Sequence, residues 1–330
     1  MTKTLADIKE RIGNIEKNTA DIKADIERKH EAVNNKVDGL KTALVKAFDE
    51  IKDVLIMMEA KKGENTRKNM VAITIHAKES LWTSFIYSNH IAIAGGICDE
   101  SVTVDDMIRM SIYPKPDPSA PWSDCPVKLP DKLIHHNSVL YNDQLLASGG
   151  VGKDLIRATQ LVPPYSVKTL SRMSEQRQLH SMEIFDDNLL IVGGRTTGRC
   201  KDNLSSVVQY DIKKKELKQL SPLPYAVSDM ATVRWGDNIV VIGGADSYGM
   251  SINMVIIYNV KTGQSHMLPS MRCKRRGCTA VVVGNNIVVL GGYGERREMK
   301  SVESFNFERY SWEEFPEMSE ARFFHTAVVV

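Results

Sequence analysis

Residues 287–292 read Ile-Val-Val-Leu-Gly-Gly, a short β-branched run that is closed by two glycines. Apolar runs end in the same way at four earlier places, and the separations between successive pairs are 54, 44, 50 and 48 residues. The five pairs are Gly95-Gly96, Gly149-Gly150, Gly193-Gly194, Gly243-Gly244 and Gly291-Gly292. A period of this length is typical of a repeated four-stranded β unit rather than of a helical solenoid. The pattern therefore predicts an all-β repeat architecture.

Each predicted unit also has an internal register that is tighter than its period. One fixed position lies thirteen residues before the glycine pair, and a Leu or Met lies seven residues before that. The first position is held by His136, His180, Met230 and Cys278, and the second by Leu129, Met173, Leu223 and Met271. The module starts again at Met318 and His325. Since variable loops separate these fixed modules, we predict propeller blades, each a meander of four antiparallel strands.

Aromatic residues mark the third and fourth strands of these units. Tyr210 is followed by Leu217 and Phe305 by Trp312, while Tyr113 and Trp122 fill the two places less regularly in the first unit. A strand ending in Gly-Gly, then Tyr or Phe, then Trp, then Pro-x-Met and Arg resembles the kelch repeat, over about residues 71 to 330. The most complete copy comprises Arg275, Cys278, Gly291-Gly292, Phe305, Trp312, Pro316 and Met318.

The resemblance implies a kelch-type β-propeller with five complete blades and a partial sixth. The glycines and the aromatic residues then have structural roles, since glycine permits positive φ and close strand approach. The second unit, residues 133–173, has Pro163-Pro164-Tyr165 in place of the Trp and should be irregular. Residues 71–75 fall where a fourth strand belongs, so we expect them to share a sixth blade with residues 325–330. Its two middle strands would be missing, and we expect the chain to be a fragment.

Residues 1–68 have a different period and are predicted to form a separate helical domain before a propeller domain at 69–330. Apolar residues alternate at three- and four-residue steps, as in the seam of a coiled coil. The first stretch comprises Leu5, Ile8, Ile12, Ile15, Ile22 and Ile26, and a second stretch is offset by four residues near His30. We predict an oligomerising stalk. Helix number and orientation stay open.

The composition argues against several function classes. The chain is 42% hydrophobic and 25% charged with a net charge of +2, which disfavours a nucleic-acid-binding role. No apolar run is long enough for a signal peptide or a membrane span. The five cysteines form no Cys-x-x-Cys pair, so we expect reduced thiols, no bound metal and a cytoplasmic protein.

The histidines and acidic pairs give weak support to an enzyme. His136, His180 and His325 share one repeat position with Met230 and Cys278, which favours packing over metal ligation. Acidic pairs such as Asp186-Asp187 lie between predicted strands, where acidic turns are routine. We expect no cofactor and no catalytic residue. The alternative from the enzyme class, by resemblance, is a kelch-fold protein like a sialic-acid epimerase or a copper oxidase.

Arginines in the predicted loops are the candidate partner-binding residues. In cullin-linked kelch adaptors, which the repeat resembles, arginines at the position of Arg275 bind acidic peptides, and these loops emerge on one face. The six candidates are Arg177, Arg275, Arg276, Arg296, Arg297 and Arg322. Converging guanidinium groups suit bidentate carboxylate recognition. We therefore expect a scaffold or adaptor that binds a protein partner. A ubiquitin ligase substrate receptor and an actin cross-linker are the alternatives, although residues 1–68 have the pattern of a coiled coil where cullin-linked kelch proteins carry a BTB domain.

Overall fold

The computed structural model covers the repeat region and leaves most of the N-terminal part undescribed. The described residues are 72–75, 83–87, 90–94, 97–98, 102–103, 105, 107–111, 123–129 and 131–329. The predicted coiled coil at 1–68, the glycine pair Gly95-Gly96 and the aromatic residues Tyr113 and Trp122 lie outside them.

Within these residues the chain forms five four-stranded antiparallel sheets, named sheets I to V in chain order. Sheets I and II comprise β2 (Thr83–Tyr87), β3 (His90–Ala94), β6 (Met107–Ser111) and β7 (Ser123–Asp124), then β8 (His136–Tyr141), β9 (Gln144–Gly149), β10 (Leu155–Gln160) and β11 (Val167–Arg172). Sheets III and IV comprise β12 (Ser181–Phe185), β13 (Asn188–Val192), β14 (Val207–Asp211) and β15 (Glu216–Gln219), then β16 (Ala231–Trp235), β17 (Asn238–Ile242), β18 (Val255–Asn259) and β19 (Ser265–Leu268). Sheet V comprises β20 (Thr279–Val283), β21 (Asn286–Leu290), β24 (Val302–Asn306) and β25 (Ser311–Phe315).

The remaining elements are short. Two hairpins lie between second and third strands: β4 (Ile97–Cys98) with β5 (Val102–Thr103), and β22 (Tyr293–Gly294) with β23 (Arg297–Glu298). A 3-10 helix spans Cys200–Asp202. The terminal strands are β1 (Ala72–Ile75) and β26 (Thr326–Val329). No described helix has the length and apolar character needed to cross a membrane.

The predicted meander is confirmed in every sheet, because each strand pairs with its neighbour in chain order. The second strands are the most buried, and in β17 the run Ile239–Ile242 is fully enclosed. Such β-branched runs suit a strand that is covered on both faces. The second unit is irregular as expected, since the β10–β11 ladder shifts register between Ile156 and Arg157.

The position of β1 differs from the prediction. The sequence indicated an outer, fourth position in the sixth unit, with a gap to the first strand. Instead β1 pairs directly with β26, and the antiparallel ladder runs from Ala72 opposite Val329 to Ile75 opposite Thr326. This pairing satisfies backbone groups of β26 that a gap would have left without a strand partner. The two terminal segments therefore meet as expected, but side by side.

The hydrophobic core lies between consecutive sheets rather than in one central layer. One cluster joins sheets IV and V around Val240, Ile242 and Phe305, and another joins sheets III and IV around Leu190 and Tyr258. The first strands also contact one another in cyclic order, in the sequence β2, β8, β12, β16, β20, β26 and back to β2. The region is thus a β-propeller-type domain built from stacked sheets around an axis.

Candidate binding surface at the loop end of the sheets

Two kinds of loop emerge at the same end of the sheets, and together they form what we call the loop face. In an antiparallel meander the first strand begins where the second strand ends. The loops that enter first strands therefore lie beside those that follow second strands. For sheets III to V these are residues 173–180, 223–230 and 271–278, beside 193–206, 243–254 and 291–301.

The glycine pairs hold the loop face together by joining each sheet to the next. The second glycine of a pair donates its N–H to a carbonyl in the loop that enters the following sheet. These bonds run from Gly150 to Arg177, from Gly194 to Val227, from Gly244 to Arg275 and from Gly292 to Arg322, at 2.7–2.9 Å. At Gly291 the φ is +56° and a Cβ would lie 2.5 Å from the Arg322 carbonyl oxygen. A side chain there would separate the two sheets, which is consistent with a structural role for this pair.

A second set of main-chain hydrogen bonds circles the axis just before the first strands. The N–H of each residue after the first in the series donates to the carbonyl of its counterpart one sheet earlier, which gives four hydrogen bonds of 2.7–3.1 Å. All five residues have φ between +50° and +57°. The series is His135, Leu179, Asp229, Gly277 and Phe324. We call it the backbone belt. These hydrogen bonds join main-chain atoms and require no particular side chain, which explains why the five residues are of different types.

Three of the six candidate arginines lie in the interior, so the prediction that they bind a partner is wrong. The side chains of Arg177, Arg275 and Arg322 are 1%, 0% and 1% exposed. Nη1 of Arg275 donates to the carbonyl oxygens of Gly291 at 2.7 Å and Ser301 at 3.0 Å. A guanidinium group that is enclosed and bonded to main-chain oxygens cannot contact a partner.

The environment of Arg275 also includes a buried carboxylate. Glu303 is 1% exposed, and its Oε1 accepts a hydrogen bond of 2.5 Å from Nη2 of Arg275. The amide N–H groups of Arg272 and Cys273 donate to the same carboxylate. A buried charge pair is costly unless hydrogen bonds satisfy its polar groups. Here they reach both carboxylate oxygens of Glu303 and both Nη atoms of Arg275, whereas Nε of Arg275 has no hydrogen-bond partner among the described residues. Arg177 is bonded in a similar way to Gly193, Ser206 and Glu175.

The other three candidate arginines lie on the loop face. Arg276 is half-buried, and its guanidinium carbon stands 5.1 Å from the centre of the Tyr293 ring. Its Nη1 donates to the carbonyl of Gly249 in the neighbouring loop at 2.9 Å. Tyr293 begins the β22–β23 hairpin, and Arg296 and Arg297 are exposed at its turn. The hairpin and the loop entering sheet V therefore bring three guanidinium groups and one aromatic ring to one place.

Aromatic and apolar side chains continue this surface on both sides. The rings of Tyr293 and Phe323 are 5.8 Å apart, and those of Phe323 and Phe324 are 4.9 Å apart. In the loop held by Arg276, Tyr248 is 92% exposed and Met250 is 65% exposed. A cationic surface interrupted by aromatic and Met side chains has the composition of a protein-binding patch.

A polar cluster lies where the backbone belt meets this surface. Asp229 is buried, accepts a hydrogen bond from the Ser228 hydroxyl at 2.8 Å, and lies 4.0 Å from Nη1 of Arg195. His135 Nδ1 is 3.1 Å from Oε1 of Gln178, and burial lowers the pKa of His135. The imidazole is therefore neutral at pH 7, and this cluster adds little net charge to the loop face.

The histidines at the shared repeat position are buried packing residues in the structure. Burial lowers the pKa of His136 to about 4 and holds the pKa of His180 well below its usual range. Nε2 of His180 is 2.8 Å from the Ser148 hydroxyl. Met230 and Cys278 are buried at the equivalent places. Of the acidic pairs, Asp186-Asp187 occupies the β12–β13 turn.

Tyr293, Tyr248 and the backbone belt were not identified from the sequence. The repeat spacing could have identified Tyr293, because it is the residue that follows a glycine pair. In three units this residue forms an isolated β-bridge with the residue that follows the arginine position. These bridges join Gln178 to Arg195, Ser228 to Ala245 and Arg276 to Tyr293. The belt had no comparable signal, since its residue types vary and its φ angles are visible only in three dimensions.

Comparisons with known proteins agree with the repeat pattern. The family described as the KLHDC2/KLHL20/DRC7 Kelch-repeats domain matches residues 163–330. Kelch-like protein 38 of Rattus norvegicus is 24% identical over 253 residues, which is 74% of this chain and 41% of that protein. Kelch-like protein 41a of Danio rerio is 29% identical over 153 residues, 46% of this chain and 25% of that protein. The chain thus spans less than half the length of these curated relatives.

A solved structure shares the fold at low sequence identity. The structure of YjhT superposes with a TM-score of 0.64 and covers 75% of this chain and 86% of its own, at 13% identity. A match of this kind concerns the arrangement of the strands and carries no information on the loops.

Proposed function

The chain belongs to the kelch-repeat family, and on that premise we propose that it is a protein-interaction domain that binds an acidic peptide segment through its loop face. The observation that carries the proposal is the stacking of Arg276 on Tyr293, beside Arg296 and Arg297 at the turn of the adjoining hairpin. Guanidinium groups bind carboxylates in a bidentate manner, and an aromatic ring supports the plane of one of them.

The exposed arginines have little competition from neighbouring acids. Arg297 lies 3.7 Å from Glu295, but the two side chains are 78% and 81% exposed. An ion pair of this kind contributes about 0–1 kcal/mol, so a better-placed carboxylate can replace it. Arg276 is already oriented by the Gly249 carbonyl and the Tyr293 ring, and little conformational freedom would be lost on binding.

We further propose that the domain consists of five complete kelch blades and a sixth formed by β1 and β26. The loops would then project from a closed frame that keeps their spacing fixed. Residues 1–68 would add a coiled coil that joins two or more copies. Several weak sites on one oligomer gain affinity through effective concentration, which suits a scaffold or adaptor. Cys125, Cys200, Cys273 and Cys278 are free thiols, in keeping with the proposed cytoplasmic location.

Selection from a random dodecapeptide display library tests the proposed specificity directly. The full chain should enrich peptides rich in Asp and Glu, and binding should weaken as salt rises. The triple variant Arg276→Glu, Arg296→Glu, Arg297→Glu should bind the enriched peptides at least ~tenfold more weakly, because opposite charges become like charges.

The matched control changes three lysines at the opposite end of the sheets. Lys213, Lys214 and Lys215 form the exposed β14–β15 turn, and their replacement by Glu makes the same change in net charge. This variant should keep full peptide binding. Enrichment of neutral peptides, or equal loss in both variants, would refute the loop-face site. Affinity purification of the full chain would then separate the two narrower roles, by recovering cullin ligase subunits or actin.

A further inference from the structure

The first strands enclose an axial channel of about 560 Å³. Side chains from β8, β12, β16, β20 and β26 line it, together with Ile86 of β2. Hydroxyl and amide groups alternate with apolar ones along this lining. The polar members include Asn137, Ser181, Thr232, Thr279 and Thr326. A cavity of this size with a few fixed polar groups has the dimensions of a small-molecule site.

One acidic side chain departs from the repeat pattern at the channel. Three residues after the shared histidine position, four other first strands carry valine, at Val139, Val233, Val281 and Val328, and β2 carries Phe85. Sheet III carries Glu183 instead, and no other carboxylate lines the channel among the described residues. Replacing an apolar contact by a carboxylate is costly unless that group gains a partner.

The neighbouring strand, β16, supplies a hydrogen-bond donor for one of the two carboxylate oxygens of Glu183. The Thr232 hydroxyl donates to Oε1 of Glu183 at 2.8 Å, and it therefore accepts from the Ser181 hydroxyl. The same repeat position is variable and carries Ser138, Met182, Ala280 and Ala327 in four other units. Thr232 therefore supplies a hydroxyl group beside the one carboxylate that departs from the repeat pattern. Among the described residues no protein donor reaches the second oxygen, Oε2, within hydrogen-bond distance.

The electrostatic setting favours a cationic occupant. Burial raises the pKa of Glu183 to about 7, against the hydrogen bond from Thr232 and the charge of Arg234, which lower it. The titratable or charged lining groups are Glu183 on β12, Arg234 on β16, Cys278 just before β20 and His325 just before β26. Burial raises the pKa of the Cys278 thiol to about 11, so this thiol is neutral near pH 7. Arg234 is directed elsewhere, since its Nη1 donates to the carbonyl of Ile184 at 3.0 Å.

We propose that the axial channel binds a small alkylammonium compound, whose charged nitrogen pairs with Glu183 and whose alkyl chain lies among the lining valines. The ammonium group offers three N–H donors, enough for Oε2 and for a hydroxyl beside it. A single carboxylate with neutral hydroxyl groups is too few anionic ligands for a divalent metal ion. The site is separate from the loop face and does not depend on the proposed peptide binding.

Isothermal titration calorimetry of the full chain with n-butylammonium chloride tests the proposal. We expect binding at pH 8 and about tenfold weaker binding at pH 6, because most of the carboxylate is protonated below a pKa near 7. Neutral n-butanol should bind at least tenfold more weakly than n-butylammonium at pH 8. Tetramethylammonium, which has no N–H donor, should also bind more weakly.

Two variants and one control separate the carboxylate from other causes. Glu183→Gln should reduce affinity at pH 8 at least tenfold and abolish the difference between pH 6 and pH 8. Thr232→Val should move the pH midpoint upward, because the bond that stabilises the ionised form is lost. Glu216→Gln, on the exposed outer strand of the same sheet, should change nothing.

Circular dichroism would first verify that each variant is folded. If Glu183→Gln does not fold, the pH midpoint of Thr232→Val tests the proposal in its place. The proposal fails if wild type shows no heat of binding with n-butylammonium. It also fails if n-butanol binds equally well, or if the folded carboxamide variant keeps the same affinity and pH dependence.

Discussion

Arg275 joins two neighbouring sheets, because its carbonyl group bonds to one sheet and its guanidinium group to the other. Its carbonyl accepts the Gly244 N–H from sheet IV, while its guanidinium group bonds to Gly291 and Glu303 in sheet V. Sheet IV has Val227 at the same repeat position, and there the carbonyl alone makes the joint. The main-chain bond is therefore the constant part, and the buried charge pair is an addition that stabilises one particular sheet.

Replacing Arg275 should test how much this pair contributes. Arg275→Ala leaves Glu303 as a buried charge without its guanidinium partner, so we expect the free energy of unfolding to fall by about 3–5 kcal/mol. Arg272→Ala is the matched control, because its bond to Glu314 is exposed and should contribute about 0–1 kcal/mol. Urea denaturation of both variants gives the two values, and similar losses would contradict the structural role assigned to Arg275.

The first glycine of the last pair offers a second test at this scale. Gly291→Ala forces a positive φ on alanine and pushes a methyl group against the Arg322 carbonyl. Gly284→Ala imposes the same φ of about +58°, but nothing lies within 4 Å of its Cβ. We expect about 1–2 kcal/mol of destabilisation at residue 284 from strain alone, and a clearly larger loss at residue 291. Thermal unfolding measures both, and equal losses would mean that the close approach is unimportant.

The register predicted which residues recur, but not the direction of their side chains. The arginine position was found from spacing, and its exposure was inferred from kelch adaptors. Burial of Arg275 depends on Glu303, 28 residues away, and on carbonyl groups that no sequence pattern identifies. The exposure of Arg296 and Arg297 was easier to predict, because side chains at a polar hairpin turn are usually in contact with solvent.

At the scale of elements, the glycine spacing predicted the four-stranded meanders. The position of β1 could not be predicted in this way, because the spacing does not show which strand edge is available for pairing. Tyr210 and Phe305 lie on third strands and are fully buried, as predicted from their spacing. Leu217 is 37% exposed on an outer strand, so its position carries less packing than that of Trp312. Trp312 also donates its indole N–H to the carbonyl of Pro269, the residue after the outer strand of sheet IV, at 2.7 Å.

The β1–β26 pairing predicts a local effect of proline. Thr74 lies opposite Ala327 in the ladder, and Thr74→Pro would distort β1 and remove a backbone donor. We expect a lower melting temperature and faster hydrogen exchange at residues 326–329. Thr74→Val retains the N–H and the β-branched shape, and it should leave both measurements near wild type. Unchanged exchange in the proline variant would show that the pairing does not hold the terminal strand.

At the scale of the whole molecule, we expect the repeat domain and residues 1–68 to make separate contributions to partner binding. The domain would supply the binding surface, and the heptad pattern would supply the number of copies. The apolar seam of an isolated helix would be exposed to water, which favours association with another helix.

Light scattering after size-exclusion chromatography tests this division. The full chain should have the mass of a dimer or a larger oligomer, and a chain that starts at residue 69 should be monomeric. Both should give the β-sheet signal of a folded domain. A monomeric full chain at micromolar concentration would contradict the oligomerising role.

The backbone belt has a consequence for how such a domain changes over evolutionary time. Bonds between amide and carbonyl groups place no demand on residue identity, so substitutions can accumulate in the loops while the sheets stay joined. A relative can then share the architecture at 24% identity, or a solved structure at 13%, and present an unrelated set of contacts. New recognition would arise by exchanging loop residues such as Tyr248 or Arg296, with the inherited frame left unaltered.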